Sequence, residues 1–488
     1  MRTANSNRWD RLAALFLLLF AAALPHSIAL AQTAAALAVV VWLAGRLFRR
    51  ERPAATLLDA PILLFLFLTF LAAVFSLEPR LSLTKLDGAG LILLVAVTAN
   101  LVTSRRLAVA LALVLLTSGG VSAAVEVSKK IAGQGVDVVT IDAKNPLGRR
   151  LQPRDVLLSC DGEKIKSPEH FNQVLAAHDL SRPLHCRGMR GGVTPFELRI
   201  PAHRLPGEPL PEAWSYQVKT GRGIRARGTY SHFVTYAEVM LQLAALACGL
   251  WIAYPRKASL SGAGLALLVI LLIGALAATF TRASLAALVV ALLAMAWTRV
   301  GRWARLAALP LAALALVGIN ALLIQWRGVG FYNPADPSFQ YRRLMWEDGW
   351  RLIQEYPWLG VGMDTIIIRW QELGLRAYEQ MELHGHFHSS PVQIAVERGL
   401  LGLAAWLLLM ALYGRVLLRL LERTRHGPDW WSHGLALGIS GATVAFLTSS
   451  LVHYNFGDSE VVMVFWLLAG VALALERIPR GVPLAQSS

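Results

Sequence analysis

Apolar stretches about twenty residues long recur along most of this chain, and no other feature narrows its folding options as far. A helix rising about 1.5 Å per residue needs that length to cross the roughly 30 Å hydrocarbon core of a bilayer. The runs fall near 11–30, 31–48, 57–76, 87–102, 107–126, 232–254, 259–281, 283–298, 306–325, 391–418, 434–453 and 459–476. In lipid, helices satisfy their own backbone hydrogen bonds, so these runs are expected to be helical. With 55% hydrophobic and 16% charged residues and a mean hydropathy of +0.50, an ordinary soluble globule is excluded. The expected fold is an α-helical polytopic membrane protein of about twelve transmembrane helices. A small α/β insert and a helical loop interrupt the pattern.

The net charge of +16 does not point to nucleic acid, because of where the basic residues lie. They cluster at Arg46, Arg49, Arg50 and Arg52, at Arg105 and Arg106, at Arg256 and Lys257, and at Arg299, Arg302 and Arg305. Further clusters are Arg415, Arg419, Arg423 and Arg425, then Arg477 and Arg480. Alternate ends of the expected helices carry them, which is the positive-inside pattern. Trp251 with Tyr254, Trp297 with Trp303, and Trp430 with Trp431 flank the same ends, as an interfacial aromatic belt does. Both termini are then cytoplasmic, and the long segments 127–231 and 326–390 lie on the far side. The expected division is 1–126 (helices), 127–203 (insert), 204–325 (helices with arginine motifs), 326–390 (large loop) and 391–488 (helices).

Arg2, Arg8 and Arg11 precede an apolar core followed by Ala29-Leu30-Ala31, so the first helix also reads as a cleavable signal. A retained signal-anchor is the reading adopted. Three cysteines are too few for a disulfide scaffold. Cys248 falls inside a helix, whereas Cys160 and Cys186 fall in the far-side segment, where a bridge is open either way.

Within the insert, Asp155 to Cys160 is strand-like and Asp161-Gly162 signals a tight turn. Ser167 as N-cap and Pro168 in the first turn start a helix through Ala177. Strands near 183–188 and 194–200 flank a turn at Arg190-Gly191-Gly192. This order, with the stretch from Leu151 to Ile165, resembles the PDZ domains of bacterial envelope proteins. The resemblance implies a protein or peptide partner added to a sheet edge, although the usual glycine-rich carboxylate-binding loop is not evident.

Chemistry concentrates where the large loop meets a helix. His388-Ser389, nine residues, then Gly399-Leu400-Leu401-Gly402 resembles the signature of the O-antigen ligase and polymerase family, which includes some protein O-oligosaccharyltransferases. Three further stretches resemble the same family: Arg343-Leu344-Met345-Trp346 with Glu355 to Gly362; Arg227-Gly228-Thr229-Tyr230; and Thr281-Arg282-Ala283-Ser284. The resemblance covers roughly 220–410.

It implies a membrane-embedded inverting glycosyltransferase that takes glycan from an undecaprenyl-diphosphate carrier at the periplasmic face of the bacterial inner membrane. Arg227 and Arg282 are the implied diphosphate ligands, since a guanidinium forks onto phosphate oxygens with permanent charge. His388 is the implied catalytic base, or the group that orients the acceptor hydroxyl. Arg343, Ser389 and His386 are implied substrate contacts. The default acceptor is lipid A–core; a growing glycan (polymerase) or a protein hydroxyl are the alternatives. A transporter of lipid-linked sugar is a rival of another class, but no internal symmetry supports it.

Each assignment has a plainer rival. An interfacial arginine commonly snorkels or marks topology, and Arg343 has Glu347 one turn away. His384, His386 and His388 alternate as ligands on a strand would, but no cysteine or carboxylate completes a zinc set. Trp326, Tyr332, Tyr341, Trp350 and Trp370 suit sugar stacking or the loop's own core. His453 with Tyr454 lines the same cavity or ends a helix. No cofactor is expected, as arginines can neutralise the leaving diphosphate and no nucleotide-binding loop is evident.

Overall fold

The computed structural model describes residues 8–141, 150–205, 216–299, 301–379, 385–425, 427 and 429–479. Two compact units emerge: residues 1–122, 229–277 and 281–488, and residues 123–228 with 278–280.

The helices in chain order are α1 Arg8–Ala23, α2 Ile28–Arg49, α3 Asp59–Val74, α4 Pro79–Leu101 and α5 Arg105–Ala132. Then come α6 Pro168–Ala176, α7 Phe233–Ala253, α8 Leu260–Ala278, α9 Arg282–Arg299 and α10 Arg302–Arg327. The last four are α11 Pro337–Glu355, α12 Ser390–Arg425, α13 Trp430–Ser450 and α14 Ser459–Arg477. Among the described residues eight helices are long and apolar enough to cross a membrane: α2, α4, α5, α7, α8, α10 over Arg305–Gln325, α12 and α14. Two apolar helices, α3 and α9 over Arg282–Thr298, are shorter. Together they make the chain a multi-pass membrane protein.

The apolar runs set these helices, and local chemistry sets their ends. The first two helices part at Pro25–Ser27 rather than at the expected 30/31 junction. Ser27 caps α2 with its side chain accepting from Leu30 N, which satisfies one of the free donors of the first turn. α4 is a series of short helical pieces, because Gly88 and Gly90 weaken helix continuity.

In the first unit α7 and α14 are most enclosed, with 89% and 83% of their apolar windows buried, against 6% for α10. Leu311, Leu314 and Val317 on α10 are exposed; such apolar faces belong against lipid rather than water. At the α7–α13 crossing a Cβ on Gly249 would lie 2.2 Å from Gly438 Cα. These backbones touch, as small residues permit between membrane helices.

The unit has two chemically different ends. At one, Arg105 reaches Pro479 O at 2.9 Å and Asp429 at 3.3 Å; Arg423 donates to Ile478 O at 2.8 Å; and Arg477 donates to Ala54 O and Ala55 O. At the other, Thr235 at the start of α7 donates to Asp458, the N-cap of α14, at 2.6 Å. Ser390 N, opening α12, donates there to His453 O at 3.1 Å.

The second unit is an antiparallel sheet: β1 Val136–Ile141, β2 Val156–Cys160, β3 Glu163–Lys164, β4 Leu184–Arg190, β5 Thr194–Ile200 and β6 Tyr216–Thr220. The order is β5-β4-β2-β1-β6, with β3 paired to β2. The expected strands and helix are present, with Ser167 capping α6 through His170 N at 3.1 Å. β1 and β6 add to them, and β6 lies past residue 203. Phe171 and Leu175 of α6 pack on Val136, Leu157, Leu184 and Ile200. Cys160 and Cys186 face each other across β2 and β4 and form a disulfide; Cys248 is a buried free thiol.

Candidate functional site

The segment 385–389 sits at the second end of the first unit, ahead of α12. His388 adopts φ +50, a left-handed conformation uncommon outside glycine and more often tolerated by histidine than by bulkier residues. Side chains and backbone over-determine it. Phe387 N donates to Gln393 Oε1 at 2.8 Å, and His388 N to His386 Nδ1 at 3.1 Å. Gln393 N returns to Ser389 O at 2.9 Å, and Trp346 Nε1 of α11 donates to Phe387 O at 3.0 Å. His386 and His388 meet with ring centroids 4.4 Å apart. Tyr454 lies 5.4 Å from the first ring and Tyr341 5.7 Å from the second. Ser389 is buried.

Behind this loop α12 is broken at Gly399, whose φ of 67° and ψ of −178° lie outside any helix. A Cβ there would stand 2.0 Å from Trp358 O. The backbone of 357–362 fills that space: Leu400 N donates to Pro357 O, Val361 N to Val396 O and Gly362 N to Glu397 O. This is what the stretch from Glu355 to Gly362 and the signature glycine do for each other. Glu397, 1% exposed, gathers the result. Its Oε1 accepts from Gln393 Nε2 at 2.8 Å and Asp364 N at 3.1 Å. Its Oε2 accepts from Arg398 Nη1 at 2.9 Å and Tyr454 OH at 3.5 Å.

α11 brings a positive charge to bear on the histidines, and it is Arg342. Arg342 acts on both histidines electrostatically and donates to Ser338 Oγ at 2.8 Å. Arg343 is 74% exposed and pairs with Glu347 at 2.9 Å, the plainer role its spacing suggested. Arg282 opens α9 but points its guanidinium at α11: Nη2 donates to Asp336, the N-cap of α11, at 2.6 Å, and Nη1 to Gly330 O at 2.7 Å.

Arg227 belongs to the second unit, where its side chain is exposed. The preceding backbone is held firmly: Asp137 accepts from Arg222 N and Gly223 N, Arg225 Nε donates to Thr279 O at 2.6 Å, and Ala226 N to Ala278 O at 3.0 Å.

Burial dominates the electrostatics of the loop. It lowers the His388 pKa to about 2, assisted by His386, Arg342, His453 and His232. The His386 pKa falls to about 4 for the same first reason, assisted by His453 and Arg342. Both rings are therefore neutral near pH 7, each keeping one N–H donor and one nitrogen lone pair.

Of the residues expected at the site, His386, His388 and Ser389 come together here. Arg282 and Arg343 are engaged with carboxylates, and Arg227 sits in the other unit. Sequence reasoning missed Glu397, Gln393, Arg342 and a buried acid on α7, Glu238. An acid in an otherwise apolar span is itself a signal, because such groups are costly in lipid. His384 lies outside the described residues; among those described, no group of three His, Cys, Asp or Glu is placed to hold a metal ion.

Comparison with protein families matches residues 266–407 to the O-antigen ligase family model. The matched stretch includes Arg282, α11, the His388 loop and the Gly399 break, and it supports a membrane enzyme of O-antigen ligase or polymerase type. No curated protein matches the chain.

Proposed function

We propose that this chain, with an O-antigen ligase domain over residues 266–407, transfers glycan from undecaprenyl diphosphate to an acceptor hydroxyl at the periplasmic face of the inner membrane. The observation that carries the reading is the over-determined His388 loop at the end of the unit opposite the arginine-rich ends, inside the matched stretch. Positive-inside charge then makes the arginine-rich end cytoplasmic and the histidine end periplasmic. On this reading about twelve helices cross the membrane. A disulfide in the second unit fits an oxidising, extracytoplasmic setting.

The acceptor oxygen attacks the anomeric carbon, the bond from that carbon to the diphosphate oxygen breaks, and the carrier diphosphate leaves with the electron pair. Attack opposite the leaving group inverts the anomeric centre. His388 orients the hydroxyl through a neutral ring nitrogen. The negative diphosphate favours a protonated imidazole at this end as the hydroxyl gives up its proton, since an opposite charge nearby stabilises the charged form. Arg342 supplies the adjacent positive charge. Arg227 is a further candidate diphosphate ligand on the chemistry of its exposed guanidinium alone. Arg282 joins by exchanging Asp336 for phosphate, or fixes α11 and thereby Arg342.

The default acceptor is lipid A–core; a growing glycan and a protein hydroxyl use the same chemistry. The PDZ-like insert adds a peptide-binding edge at β5 or β6 as a partner surface. Purified protein given lipid-linked glycan and each acceptor in turn, without nucleotide, yields joined product and free carrier diphosphate. Release of neither with any acceptor refutes the reading.

A further inference from the structure

A second polar cluster lies behind the loop, buried between helices and unused by the chemistry above. Glu238 on α7 is 1% exposed. Its Oε1 accepts from Ser284 Oγ of α9 at 2.7 Å, from Ser449 Oγ at the end of α13, and from His453 Nδ1 at 2.9 Å. Its Oε2 accepts from Asn455 Nδ2 at 3.2 Å. Asn455 Oδ1 and His453 O both hold the hydroxyl of Ser390, two residues beyond His388. Buried polar groups cost free energy wherever one partner fails, and this cluster meets that cost with bonds drawn from three helices and the turn after α13.

The tautomer follows from the bonding. With Glu238 ionised, Nδ1 of His453 carries hydrogen and Nε2 keeps its lone pair. This is the arrangement by which a carboxylate orients an imidazole to accept a proton at its far nitrogen. His453 is 6% exposed and interacts electrostatically with both His386 and His388. Among the described residues no carboxylate is hydrogen-bonded to either of those two rings, whereas His453 has Glu238.

We infer that Glu238 and His453 form the proton-accepting pair of this site, Glu238 as positioning residue and His453 as the imidazole that receives the proton lost by the acceptor hydroxyl. The inference rests on the glycan-transfer reading. As the acceptor oxygen bonds to the anomeric carbon, its O–H bond breaks and the proton goes to Nε2 of His453. The electron pair of the broken carbon–oxygen bond leaves with the diphosphate, and the proton later returns to solvent. His388 holds the hydroxyl in line, while Ser390 and Asn455 tie its loop to the pair. Other charged or titratable groups described at this end include Arg342 on α11 and Asp336 at its N-cap, Arg282 on α9, Asp364 between α11 and α12, Glu397 and Arg398 on α12, and Asp458 and Glu460 at α14, with His232 capping α7.

The test is the pH dependence of glycan transfer by the full-length protein in nanodiscs. Glu238→Gln keeps the volume and a carbonyl toward Nδ1 but removes the charge that favours a protonated ring. It is expected to lower kcat at least tenfold, leave the lipid-donor KM within twofold, and move the acidic limb of the profile down by about one pH unit. Should Glu238→Gln fail to fold, Ser284→Ala with Ser449→Ala removes two donors competing for the same oxygen; the limb then moves up. A limb that stays in place in whichever folded variant is measured, whatever the rate, assigns Glu238 a merely structural role and overturns the inference. A wild-type protein that transfers nothing at any pH instead overturns the transfer reading on which it rests.

Discussion

Gly399→Ala probes the joint on which the His388 loop is built. Alanine at φ 67°, ψ −178° enters a region essentially reserved for glycine, at a cost of about 1–3 kcal/mol. The new methyl would also stand 2.0 Å from Trp358 O and 2.2 Å from Trp358 C, so the 357–362 backbone must withdraw. Withdrawal breaks three backbone bonds, from Leu400, Val361 and Gly362, each contributing about 0.5–1.5 kcal/mol. The sum, about 2.5–7.5 kcal/mol, is large for one methyl group. Gly414→Ala on the same helix is the control, since nothing lies within 4 Å of a Cβ there; it is expected to be neutral or stabilising. Thermal unfolding in mild detergent, followed by tryptophan fluorescence, should show a midpoint several degrees below wild type for Gly399→Ala only. Transfer should fall with it, because Glu397 and Gln393 hold the histidine loop from this joint. Equal midpoints for the two variants would show that the break in α12 does not depend on glycine.

Arg282→Ala and Asp336→Asn each remove one side of a charge-assisted bond of about 1.5–3 kcal/mol. If Arg282 only anchors α11, the double variant is no worse than either single one; if it exchanges onto phosphate, Asp336→Asn alone lowers the donor KM. Arg342→Ala should cut transfer at least tenfold, whereas Arg343→Ala, which breaks an exposed helix pair of at most about 0.5 kcal/mol, should stay within twofold. The lowered pKa values of His386 and His388 imply that the unfolded chain binds protons below its ordinary value near 6.5 while the folded chain does not. Stability is therefore full above pH 6.5 and lost as pH falls toward 4, by up to about 1.4 kcal/mol per pH unit for each ring. Unfolding midpoints at pH 7 and 5 should diverge in wild type and converge in a His386→Gln, His388→Gln variant.

The helices were legible because an apolar run needs only length to declare itself. Their joints were less so: the α1–α2 turn fell at Pro25–Ser27, where a capping serine outweighed continued hydrophobicity. The β2–β5 strands and α6 showed in turn residues and a serine–proline start, while β6 lay across a segment of mixed polarity with no such punctuation. At the site, one-dimensional spacing pointed to His388 and Arg343; in the structure Arg342 acts electrostatically on the histidines while Arg343 pairs with Glu347. Neighbours on a helix face about 100° apart, and only packing decides which faces the loop. Glu238 and His453, 215 positions apart, meet by helix packing alone.

One comparison bears most directly on the whole account: purified wild type and His388→Ala, each given undecaprenyl-diphosphate glycan and lipid A–core without nucleotide, with joined product and its anomeric configuration read by mass spectrometry and NMR. Wild type should yield product of inverted configuration and His388→Ala at least a hundredfold less. Transfer with retained configuration, or at the wild-type rate without the imidazole, would contradict it.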